Sequence, residues 1–101
     1  MNTFYICILD FEATCWKENG NHEIIEFPSV MLKWTFDPRK STNYEQKIIQ
    51  VSEIQHYVKP STYPVVSTFC NELTGITQEM VNHGIELRDA LDLHSEWLSK
   101  F

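Results

Sequence analysis

Phe4-Tyr5-Ile6-Cys7-Ile8-Leu9-Asp10-Phe11-Glu12-Ala13-Thr14-Cys15 decides how the rest of this 101-residue sequence is read. The run from Phe4 to Leu9 carries no charge and reads as a strand covered on both faces, inside a sheet. Side chains alternate along a strand, so Asp10 and Glu12 point to the same side. Two carboxylates held together at the edge of a core repel each other and are costly to desolvate. A divalent cation is the usual compensation. The alternative is that these acids mark only the place where a strand end meets water.

Working outward, Trp16–His22 contains Asn19-Gly20-Asn21 and reads as a surface loop. A second strand is expected over Glu23–Thr35, with Pro28 at a bulge or where its missing N–H does no harm. Asp37–Asn43 is a polar turn, and a third strand follows from Lys47 to Val58 with Ile48, Val51, Ile54 and Tyr57 as its apolar members. Short connections make this an antiparallel meander of three strands. Lys59-Pro60 closes the sheet section. A short helix is expected over Tyr63–Leu73, ended by Gly75, and a second over Gln78–His83, capped by Thr77, with Glu79 in its first turn. The last helix starts near Glu86 and carries a stripe of Leu87, Ala90, Leu91, His94, Trp97, Leu98 and Phe101. The stripe is still running at Phe101, as in a helix that is cut rather than finished.

The length allows one small α/β domain, and 43% apolar content with 13% aromatic residues is that of a globular chain. No stretch reaches the length of a membrane span, and the N-terminus lacks the basic region of a signal peptide. Cys7, Cys15 and Cys70 are odd in number and form no C-x-x-C pair, which points away from a disulfide framework and toward a reducing compartment, cytoplasmic or nuclear. A formal charge of −6 with scattered Lys and Arg excludes a basic patch that grips nucleic acid by counterion release.

Three blocks in order, Asp-Phe-Glu-Ala-Thr-Cys at 10–15, His-Glu-Ile-Ile-Glu-Phe-Pro at 22–28 and Leu-Thr-Gly-Ile-Thr-Gln at 73–78, resemble the 3′–5′ exonucleases of the DEDDh class. The similarity is greatest to the branch that trims histone-mRNA 3′ ends and small RNAs, the enhancer-of-RNA-interference type. The resemblance implies a partial ribonuclease-H-like exonuclease fold over residues 1–101, ending before the second and third catalytic motifs. It implies two Mg²⁺ or Mn²⁺ ions in a complete site, about 4 Å apart, acting on the attacking water and the leaving 3′ oxygen. Asp10 then matches the acid that bridges both ions, and Glu12 the acid on the nucleophile side. Ala13 matches a close approach to the terminal nucleotide, and Leu73, Thr74, Gly75 and Ile76 a wall against the last nucleoside. Read without the resemblance, Ala13 is a small residue at a strand end, and Gly75 and Thr77 are a helix stop and an N-cap.

Glu26 is either an acid that orients the site or a solvent-facing strand residue. Among the histidines, His22 reads as a surface residue beside the acids, and His83 as a helix-end residue. His56 lies in the third strand, and His94 reads as a boundary residue of the last helix. The family's general base is a His followed by an Asp five residues later. The four histidines here place Phe27, Ser61, Arg88 and Ser99 at that spacing. The second-motif Asp is also absent, so this length alone is expected to be inactive, because a missing general base costs orders of magnitude in rate. The implied partner is a single-stranded RNA 3′ end, with DNA an alternative and no membrane. An open first-strand edge also invites a second chain or the missing half of the domain. A non-catalytic nucleic-acid-binding or regulatory module derived from such an exonuclease is the competing reading.

Overall fold

The structure, a computed structural model, describes residues 1–16, 22–40 and 46–101. Its elements are β1 (Asn2–Leu9), β2 (Glu12–Ala13), β3 (Ile24–Phe36), β4 (Lys47–Tyr57), α1 (Thr68–Thr74), α2 (Gln78–Asn82) and α3 (Leu87–Leu98). β3 is the centre of the sheet. β1 and β2 follow one another along one of its edges, and β4 pairs antiparallel with the other. The expected three-stranded antiparallel meander is therefore present, with its first strand divided in two. The loop expected over Trp16–His22 and the turn over Asp37–Asn43 fall partly outside the described residues.

Strict alternation along β3 decides which face is the core. Ile25, Phe27, Ser29 and Met31 are buried, while the residues between them are half-buried. The helices cover that first face. Ile25 packs with Cys70, Ile76 and Val81, and Phe27 with Val58 and Ala90.

One expectation is overturned here. β1 is not covered on both faces: Phe4 and Ile8 are 49% and 50% exposed, and among its side chains only Cys7 is half-buried. The reason is topological, because among the described residues β1 pairs with β3 alone and the helices lie on one side of the sheet. At its far end the uncovered face gathers Phe4, Trp34 and Phe36, with Trp34 and Phe36 ring centroids 4.7 Å apart.

Pro28 runs through the middle of the central strand rather than ending it. Its register partner on β4 is Gln55, and the bulge on that side lies further on, between Met31 and Leu32. On the other edge the ladder from Leu9↔Ser29 to Glu12↔Glu26 keeps its count, so Asp10 stands opposite Pro28, which has no N–H to donate. That is where β1 and β2 part.

The helical half is shorter than the periodicity suggests. α1 begins at Thr68, not Tyr63, because residues 61–63 donate backbone N–H groups to Glu23 and Ser67 caps the helix, accepting from Cys70 N at 3.0 Å. Gly75 ends it in the left-handed region at φ 78°, and Thr77 Oγ1 accepts from Met80 N to start α2. Gly84, just after α2, has room for no side chain: a Cβ there would stand 2.7 Å from the Tyr57 carbonyl oxygen. The close approach lets Ile85 bridge Val58 in parallel, extending the end of β4. On α3 the buried stripe narrows to Ala90, His94 and Trp97, leaving Leu87, Leu91 and Leu98 exposed. Phe101 meets Trp97 and Tyr5 beyond the helix end.

Candidate active site

The unbroken residue count between Leu9↔Ser29 and Glu12↔Glu26 keeps the alternation of the edge intact across Asp10 and Phe11. Phe11 turns toward the helices, its ring at 4.7 Å and 86° to that of Phe27. Asp10 and Glu12 consequently lie on the opposite, uncovered face. Glu26 stands directly across from Glu12 on the same face, and its carboxylate accepts from Gln55 Nε2 at 2.9 Å. Like charges directly opposite in a sheet destabilise it, so this face concentrates negative charge with no cation in an ion pair there among the described residues. Oxygen donors of this kind are those a hard divalent cation takes. Among the described residues, however, no three His, Cys, Asp or Glu side chains gather closely enough to hold an ion.

The backbone just beyond the acids is fixed from two sides. Thr14 is buried: its N–H donates to the Glu23 carbonyl at 2.8 Å and its Oγ1 accepts from Glu23 N at 3.0 Å. From the helical side, Ser67 Oγ donates to the Cys15 carbonyl at 2.7 Å and Cys70 Sγ reaches the Ala13 carbonyl at 3.6 Å. Burial pushes the Cys15 thiol up to about 11, with the neighbouring Cys70 thiol and the Glu12 carboxylate adding to the rise. Ala13 is half-buried and lies across from Ile24.

The segment 73–76 is the C-terminal turn of α1 and its cap. Leu73 is 68% exposed, whereas Ile76 is buried beside Ile25, Cys70 and Val81. Thr74 Oγ1 donates to the Cys70 carbonyl and accepts from Ile76 N, and Asn71 Nδ2 donates to the Ile76 carbonyl. Leu73 is thus the member of this segment with a large free apolar side chain.

The histidines divide differently from the sequence reading. His22 is exposed, with Nδ1 2.7 Å from the Thr14 carbonyl, and His83 Nδ1 meets the Glu79 carbonyl at the end of α2. His94, expected at a boundary, is buried, and Ser29 on the facing strand supplies the hydrogen-bond partner that makes this possible. His56 Nε2 is buried with no hydrogen-bond partner among the described residues. Sequence reasoning missed Glu23 and Ser67. The only signal for Ser67 was a capping residue three positions after Pro64. Glu23 gave none, since its partners lie 38 to 40 residues away.

Residues 7–101 match the RNase T exonuclease family. The chain belongs to that family. ERI1 exoribonuclease 2 of Xenopus laevis is 42% identical over 99 residues, which are 95% of this chain and 13% of that protein. A structure of 3′-end specific recognition of histone mRNA stem-loop by 3′-exonuclease aligns at TM-score 0.73 and 34% identity. The alignment covers 96% of this chain and 40% of that one. The nuclease domain of 3′hExo, a DEDDh family member bound to rAMP, aligns at TM-score 0.75 and 36% identity, over 94% of this chain and 44% of that one. The chain therefore has part of the ribonuclease-H-like fold of the DEDDh nucleases, and that kinship implies dependence on a divalent metal. It spans less than half the length of these relatives. No helix among its described residues is long and apolar enough to cross a membrane.

Proposed function

We propose that this exonuclease chain is one part of a metal-dependent 3′–5′ exoribonuclease domain that releases nucleoside monophosphates from single-stranded RNA 3′ ends. The observation that carries the reading is the shared face of Asp10 and Glu12, set by the register of β1 and β2 against β3. Asp10 and Glu12 would hold Mg²⁺ or Mn²⁺, two ions in a complete site. When bound, the ions supply positive charge for the attacking water and the leaving 3′ oxygen. The chain's own residues position the substrate. Leu73 packs against the last base, Ile76 supports that turn from the core, and Thr74 and Gly75 bring backbone close to the sugar. Ala13 leaves room for the terminal nucleotide.

No described histidine is placed as general base, so the remaining acid and the base come from beyond these residues, on a segment or second chain that also covers the β1 edge. General-base catalysis contributes about 10²–10⁴-fold, and hydrolysis by this length alone falls accordingly. A non-catalytic nucleic-acid-binding or regulatory module is the second reading.

Calorimetric titration with Mn²⁺ tests the metal assignment. The parent binds, Asp10→Ala does not, and silence in both overturns the assignment. Hydrolysis of a 5′-labelled single-stranded RNA by the chain, slow for want of the general base yet abolished by Asp10→Ala, separates enzyme from module.

A further inference from the structure

We propose that Trp16 and Tyr63 form a stacking platform for a nucleotide upstream of the terminal one, so that the chain binds a single-stranded oligonucleotide more tightly than a mononucleotide. The proposal rests on the function argued above and extends its site. The Trp16 and Tyr63 rings meet edge to face, with centroids 5.1 Å apart and planes at 73°, and Tyr63 is 55% exposed. Trp16 is half-buried, and an edge-to-face pair does not use both faces of either ring for its own contact, while aromatic faces stack on any base.

Two anchors fix the platform to the candidate site. On the Trp16 side, the preceding Cys15 carbonyl is held by Ser67 Oγ at 2.7 Å, at the start of the helix whose far end carries Leu73. On the Tyr63 side, the Glu23 carboxylate accepts from the amides of Ser61, Thr62 and Tyr63 and from Ser61 Oγ, at 3.0 to 3.2 Å. Glu23 is itself bound through its own backbone to Thr14, next to Ala13. The same short stretch thus holds both the terminal-nucleotide floor and the aromatic pair. Trp16 is three residues from Ala13, at most about 10 Å of chain.

Electrostatics do not explain the feature. The neighbouring cavity of about 240 Å³ is lined by Lys59 and Arg88, but also by Glu23 and Glu86, so its formal charges cancel. What remains for recognition is stacking, which suits a chain of net charge −6.

Equilibrium dialysis of the full chain with radiolabelled AMP and with a phosphorothioate-linked triadenylate, in Mg²⁺, tests the platform. The triadenylate binds more tightly than AMP. Trp16→Ala and Tyr63→Ala weaken the triadenylate about tenfold, within the range that loss of one base–aromatic stack gives, and leave AMP unchanged. Trp16→Phe, which keeps an aromatic face, retains triadenylate affinity within about twofold. An unchanged triadenylate constant in Trp16→Ala, or an equal loss for both ligands, overturns the platform alone. Failure of the parent to bind either ligand overturns the proposed function and the platform with it.

Discussion

Ser29 Oγ and His94 Nε2 lie 2.7 Å apart in the core, joining the middle of the central strand to the last helix across 65 residues of sequence. The imidazole packs between the rings of Phe27 and Trp97, at centroid distances of 4.8 and 5.4 Å. A polar ring in that position is tolerable only while its nitrogen has a partner. Ser29→Ala removes the partner and leaves the nitrogen buried, at a cost of about 1–3 kcal/mol. Urea denaturation checks this against Ser95→Ala on the exposed side of the same helix, which stays within about 0.5 kcal/mol of the parent.

Acid acts on the same residue. Burial holds the His94 imidazole below its ordinary value of 6.5, so between the two values the unfolded chain binds the proton and the folded chain does not. Stability is unaffected by this group above pH 6.5 and falls as pH drops below it. Thermal melting from pH 8 to 5 shows that slope, and His94→Gln flattens it.

A second acid-sensitive step lies lower. Burial alone would raise the Glu23 carboxyl, but hydrogen bonds from the Thr62 and Tyr63 amides and from Ser61 outweigh it and hold the group below its ordinary 4.5. The stability it contributes is complete above that value and is lost as pH falls through the folded-state value. Amide hydrogen exchange at residues 61–63, referred to the intrinsic rate at each pH, loses protection between pH 5 and 2 in the parent, and Glu23→Gln has already lost it at pH 5.

Glu12 and Glu26 face each other across β2 and β3. Removing one charge relieves a cross-strand repulsion, so in chelator-containing buffer Glu26→Gln raises stability by about 0.2–1 kcal/mol. Saturating Mn²⁺ narrows that advantage if these carboxylates share the field of an ion. Denaturation with and without Mn²⁺ measures both effects.

Cys15, with its thiol pushed up to about 11, is about a thousandth thiolate at pH 8. Its alkylation by iodoacetamide, followed by peptide mass spectrometry, is slow at pH 8 and accelerates about tenfold per pH unit up to 10. A plateau below pH 10 contradicts the environment described.

Much of the fold was legible because local signals agree with it. The turn residues between apolar runs set the meander, Thr77 and Gly75 have the cap roles their types favour, and the last helix follows its period. The length of α1 was not legible, since Glu23 holds residues 61–63 in an extended path that no local propensity records. The stripe on α3 was also over-read: period marks the apolar residues, but only the sheet opposite decides that Ala90, His94 and Trp97 are the buried ones.

The sequence by itself determined the family, the order of strands and helices, and the pair of acids two residues apart. Those depend on residue type and short-range spacing. Tertiary structure decided that one face of β1 is left bare, that Glu26 faces Glu12, and that Tyr63 meets Trp16. The first two depend on how the strands pair, and one residue out of step would turn Glu12 to the other face; the third is a contact between residues 47 positions apart that no local spacing records.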